Sequence, residues 1–138
     1  MANLQVTTTE ANLMTAFAGE SQARNKYPYY ASKARKDGYV QIAEIFEETA
    51  AHEKEHAKMW FKLLHGGIGD TVDNLIDAAA GENYEWTDRD SNCSREAREE
   101  GSEHMAKLCD GVAAVEKKHG ERYLKLAGNI KDGIVFSK

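Results

Sequence analysis

The sequence predicts an all-α fold, an antiparallel four-helix bundle, on three observations. Its 138 residues include one proline, the helix formers Ala, Glu and Lys are abundant, and long stretches run without turn signals. A chain of this length is expected to fold as one domain over residues 1–138, with room for a buried core. The net charge of −5 comes with mixed signs and no basic stripe, so nucleic acid is not expected as a partner. The first residues, MANLQVTTTE, have neither a basic start nor an apolar run, and no segment approaches the length of a membrane span. A cytoplasmic protein without a membrane partner is therefore expected. Cys93 and Cys109 form neither a C-x-x-C pair nor a four-cysteine set, and in that compartment they read as two reduced thiols.

Each helix has its own boundary signals. Thr9, with Glu10 to Asn12 behind it, opens the first periodic segment, and Asp37-Gly38 closes it. The second runs from about Tyr39 to His65 and stops at Gly66-Gly67. The third begins near Asp70-Thr71 and reaches Gly101; the fourth starts near Ser102 and fades at Asp132-Gly133. Four helices of this length, joined by turns, make an antiparallel bundle the default. The tail GIVFSK is apolar enough to pack but too short to place.

Helix two contains His52-Glu53-Lys54-Glu55-His56, which reads in two ways. As H-E-x-x-H it is the zinc-protease pattern; as Glu53-x-x-His56 it is half of a carboxylate-bridged metal site. Helical geometry favours the second. Relative to the centre of the apolar face formed by Ile42, Ile45, Phe46, Trp60, Leu63 and Leu64, Glu53 lies at about 27°, His56 at about 33° and His52 at about 73°. Zinc held by both histidines needs both aimed at one ion, and His52 sits at the margin.

The other helices repeat the anomaly. In helix one Glu20 interrupts an inward stripe of Leu13, Phe17, Tyr27 and Tyr30. In helix three Val72, Leu75, Ile76 and Ala79 lead into Glu82 and Glu85. In helix four Leu108, Val112 and Val115 precede Glu116-Lys-Lys-His119, with Tyr123 and Leu126 beyond. Each acid alone reads as an inward glutamate paired with an arginine such as Arg24 or Arg122. Together they are harder to dismiss, because five acids buried in one core repel one another unless multivalent cations hold them. The pattern of one Glu from each of two helices and Glu-x-x-His from each of the other two belongs to ferritin-like di-iron and di-manganese proteins. Glu20 and Glu82 are then the single glutamates, Glu53/His56 and Glu116/His119 the pairs, and Glu85 an extra carboxylate. Oxygen-rich ligation with one imidazole per metal suits iron or manganese.

Four stretches resemble one family. FAGESQARNKY (17–27), ETAAHEKEHAKMWFKLL (48–64), AAAGENYEWT (78–87) and VEKKHGERYLKLAGNI (115–130) are similar, in order, to the ferritin-like domain of rubrerythrins. The resemblance implies a four-helix bundle with a long crossover between helices two and three, led into by residues 65–72 with Gly66, Gly67 and Gly69 as a hinge. It also implies a homodimer, in which some relatives exchange helices. The implied activity is reduction of hydrogen peroxide to water in oxidative-stress defence, at two iron ions that manganese or zinc can replace. On this resemblance Glu53 and Glu116 bridge the irons, Glu20 and Glu82 are terminal ligands, and His119 completes one iron. The other iron shifts between His56 and Glu85 with redox state. Tyr27 is implied as a supporting residue behind the ligands, with an ordinary core tyrosine as its alternative; His52, His65 and His104 read as solvent-facing.

The chain also departs from the family pattern. Rubrerythrins usually carry a C-terminal rubredoxin domain, which these residues do not include, so electrons are expected from a separate protein such as a rubredoxin or its reductase. Asp90 stands where a tyrosine is expected, and Ser102 and Cys109 are small for positions often filled by aromatics. Between Thr87 and Gly101 only Cys93 and Ala97 are apolar, too few to bury a helix face, so this part is expected to be loose, frayed or completed by another chain. Two further readings stand beside the peroxidase. A ferroxidase or iron-binding protein would prefer dioxygen, and a zinc protease would survive loss of Glu20.

Overall fold

A computed structural model of the chain describes residues 7–134. They are helical throughout apart from turns, with no strand among the described residues, as the composition predicts. Among them, no helix is long and apolar enough to cross a membrane. The last residues of the tail, 135–138, lie outside the described residues. The chain divides into two compact units, Met1–Ile68 and Gly69–Lys138.

The first unit is a helical hairpin of α1, Thr8–Lys36, and α2, Val40–His65. Thr7 caps α1, its hydroxyl accepting from the Glu10 N–H at 3.1 Å and so satisfying one orphan donor of the first turn. Pro28 sits inside α1. Gly38, at φ 90°, turns the chain between the helices, and Gly66, at φ 71°, closes α2 in a left-handed conformation that other residues resist. Contacts at Arg35–Glu47, Tyr30–Phe46 and Phe17–Phe61 run in opposite sequence directions, which fixes the antiparallel pairing.

The second unit pairs a long helical rod with α5, Glu103–Lys131. The rod begins as α3, Thr71–Tyr84, capped by Asp70, whose Oδ1 accepts from the Asp73 N–H at 2.8 Å. It widens into a π turn at Glu85–Arg89 and continues as α4, Asp90–Glu99. Sequence periodicity predicts one uninterrupted helix here, and the π turn is the difference. Two hydroxyls serve the widened turn: Thr87 donates to the Asn83 carbonyl at 2.6 Å and Ser91 to that of Trp86 at 2.9 Å. Gly101, at φ 85°, turns the chain into α5.

Three expectations are corrected. The apolar stripes do not sink into a deep core: Ile42, Ile45, Leu63, Leu108, Val112 and Val115 are 48–57% exposed. Within the first hairpin the buried seam is lined by small residues, Ala31, Ala34 and Ala43, with Phe46 packed against them. Residues 90–99 are also helical to their end rather than frayed. Polar and covalent ties replace the missing apolar ones, with Arg98 bonded to Ser94, Glu103 and Asp110. The thiols expected to be reduced are joined instead as Cys93–Cys109, one from α4 and one from α5. The antiparallel pairing brings their Cα atoms to 6.2 Å, within bridging range.

Candidate metal centre

In the first hairpin Glu20 of α1 meets Glu53 and His56 of α2. One ligand atom of each lies within 4.8 Å of the others. The three-residue spacing of Glu53 and His56 puts both on one face of α2, and the antiparallel pairing brings Glu20 opposite. Glu20 is held from two sides, its Oε1 3.4 Å from His56 Nδ1 and its Oε2 accepting from the Trp60 indole N–H at 2.9 Å. Its partners are thus His56 and Trp60 rather than Arg24. His52 is outside this group, exposed and 4.0 Å from Glu48, as its marginal angle predicts.

The second hairpin brings together Glu82 of α3, Glu85 of the π turn and Glu116 of α5. His119 lies beside them, its Nδ1 3.4 Å from Glu82 Oε1. Arg89 extends into the group and contacts three carboxylates: Glu116 Oε1 at 2.9 Å, Asp90 Oδ1 at 3.3 Å and Glu85 Oε1 at 3.5 Å. Arg122 is not the partner of Glu116. Burial, with a hydrogen bond to Asp90 and the charges of Asp90 and Glu85 against that of Arg89, pushes the Glu116 carboxyl up to about 7.

With the carboxylates ionised, three of their oxygens are buried without a donor among the described residues: Glu82 Oε2, Asp90 Oδ2 and Glu116 Oε2. A buried charged oxygen left unpaired is costly, and a cation supplies what the protein groups do not. Carboxylates with one imidazole in each hairpin form a hard, oxygen-rich donor set, which fits iron or manganese.

Tyr27 is not in either group. Its ring packs against Tyr30 and Phe46. His65 and His104 are exposed as expected, His65 lying against the Phe61 ring. Trp60 and Arg89 are the contributors that sequence reading passes over. Both carry a signal, for Trp60 follows His56 by four residues and Arg89 follows Glu85 by four, the spacing at which helical side chains meet.

The family model described as Rubrerythrin matches residues 11–127. The chain belongs to the rubrerythrin family. The rubrerythrin of Nitratidesulfovibrio vulgaris is 49% identical over 99% of this chain and 78% of its own length. Rubrerythrin-1 of Clostridium acetobutylicum is 47% identical over 100% of this chain and 79% of its own. A solved structure described as the fully reduced, all-ferrous state of nigerythrin covers 94% of this chain and 71% of its own, with 34% identity and a TM-score of 0.47. The part of the chain matched by the rubrerythrin family holds all seven predicted ligands, from Glu20 to His119. Membership in that family implies iron as the metal for these carboxylate and histidine groups.

Proposed function

We propose that the chain is a non-haem di-iron peroxidase that reduces hydrogen peroxide to water with electrons from a separate redox protein. One observation carries the reading: each hairpin of a rubrerythrin-family chain gathers glutamates and a histidine, with carboxylate oxygens left buried and unpaired in the second. Glu20, Glu53 and His56 from the first hairpin and Glu82, Glu85, Glu116 and His119 from the second are the seven ligands for two iron ions. When bound, a ferrous pair would supply the two electrons that, with two protons, convert hydrogen peroxide to two waters.

The chain's own residues prepare the ligands for that task. Trp60 and His56 hold Glu20 between them, so its carboxylate is oriented before metal arrives. His119 does the same for one oxygen of Glu82 and leaves the other free. Glu85, on the π turn, would be a further carboxylate ligand beside Glu82 and Glu116 when metal is bound. Tyr27, on α1 seven residues after Glu20, is proposed as a supporting residue, its ring packed against Phe46. A homodimer is the assembly this reading implies.

The test is anaerobic loading with ferrous iron, then rapid mixing with hydrogen peroxide and, separately, with dissolved oxygen, followed in the near ultraviolet. Two irons per chain, oxidised far faster by peroxide, is the expected result. Comparable or faster oxidation by oxygen would instead make the protein a ferroxidase or iron-binding protein.

A further inference from the structure

We infer that Asp90 is an additional metal ligand of the second hairpin, a carboxylate beyond the seven of the proposed di-iron site. The inference rests on that functional reading and adds a residue to it. Asp90 opens α4 immediately after the π turn and is 7% exposed. Aspartates are seldom so deeply buried unless paired, and here only one of the two oxygens has a cation beside it.

The oxygens of Asp90 follow the same pattern as those of two proposed ligands. In Glu116, Oε1 is engaged by Arg89 and Oε2 is buried and unpaired. In Glu82, Oε1 is engaged by His119 and Oε2 is buried and unpaired. In Asp90, Oδ1 is engaged by Arg89 and Oδ2 is buried and unpaired. In Glu116 and Asp90 alike, one oxygen is held by Arg89 and the other is left free, which is how an outer group orients a carboxylate for a metal. Arg89 therefore links Asp90 to Glu116 and Glu85, and its side chain, 52% exposed, reaches the group from the solvent side.

Charge argues the same way. Glu82, Glu85, Asp90 and Glu116 face Arg89 and His119 in this hairpin, so the carboxylates outnumber the cations even with His119 protonated. A buried ion pair is favourable only when the remaining lone pairs are also satisfied, and Oδ2 has no donor from the protein. A divalent cation satisfies Oδ2 and offsets the excess together.

The deciding experiment compares the full-length protein with its Asp90→Asn variant, which keeps the shape and an acceptor for Arg89 but removes the charge. Manganese binding is followed by calorimetry, and cobalt binding by visible absorption. If Asp90 is a ligand, manganese affinity falls about tenfold or more and the cobalt bands shift in position or intensity. Unchanged or tighter binding with unchanged cobalt bands overturns the assignment and leaves the di-iron reading intact. Failure of the unsubstituted protein to take up metal would overturn that reading itself, and this assignment with it. A measurement on the unsubstituted chain decides the matter if the variant does not fold. With carbon-13-labelled aspartate, manganese must shift an aspartate carboxylate stretch in the infrared, and the absence of any shift overturns the proposal.

Discussion

Trp60 donates its indole N–H to Oε2 of Glu20 at 2.9 Å, across 40 positions of sequence. That bond joins α1 to α2 and fixes one oxygen of a proposed ligand, while Oε1 of the same carboxylate lies 3.4 Å from His56 Nδ1. A bond to a charged acceptor in a half-buried place is stronger than a neutral one, and it orients as well as attracts.

Replacing Trp60 with Phe keeps an aromatic ring and removes the donor. Manganese affinity is expected to fall about tenfold, because Glu20 must then be oriented when metal binds. Calorimetric titration of both proteins checks this; equal affinities would mean that the bond only packs the hairpin.

Reduction of Cys93–Cys109 is expected to weaken the second hairpin. The bridge closes a loop of sequence separation 16, and by chain entropy a loop of that size contributes about 3 kcal/mol. Thermal unfolding with and without a phosphine reductant measures the loss. A Cys93→Ser, Cys109→Ser double variant should unfold at the temperature of the reduced protein and be indifferent to the reductant.

Glu116 gives the metal-free protein a pH dependence. The folded chain holds this proton up to about pH 7, whereas the unfolded chain releases it near the ordinary value of 4.5. Between those values the folded state binds more protons, so stability falls as pH rises through the window, by at most about 1.4 kcal/mol per pH unit. The groups around it are Glu82 of α3, Glu85 and Arg89 of the π turn, and Asp90 of α4. In Glu116→Gln that segment of the curve should flatten, as read from urea unfolding at several pH values.

Asp70 caps α3 through a 2.8 Å bond to the Asp73 N–H. Asp70→Ala is expected to destabilise the second hairpin by about 1 kcal/mol. Urea denaturation would show the midpoint moving while the slope stays constant.

Helix boundaries were the most legible part of the fold, because caps and glycines are local signals. Asp70, Gly66 and Gly101 mark ends in the sequence and carry the expected cap bond or positive φ in the structure. In the site, the spacing of Glu53 and His56 and the phase of Glu20 with its stripe were enough to group the first cluster. The depth of burial was not legible. Periodicity says which face is apolar but not how many neighbours cover it, and so Ile45 and Val115 are half exposed. The disulfide was hidden because Cys93 and Cys109 become neighbours only through pairing of α4 with α5. Arg89 was hidden for a related reason: a charged residue reads as solvated until three acids from three elements are seen around it.

The π turn at Glu85–Arg89 makes chain length, rather than residue identity, the sensitive quantity at this point of the rod. Accommodating one residue beyond the α-helical count offsets everything that follows by about 100° of rotation and 1.5 Å of advance. Asp90, Cys93 and Ser94 meet Glu116, Cys109 and Asp110 of α5 with that offset in place. Deleting any one residue of the five would let the turn close into ordinary helix and swing all three away from α5 in a single step. A point change there, even at Arg89 with its three carboxylates, alters the contacts of one side chain, whereas a codon lost in frame dismantles the whole seam.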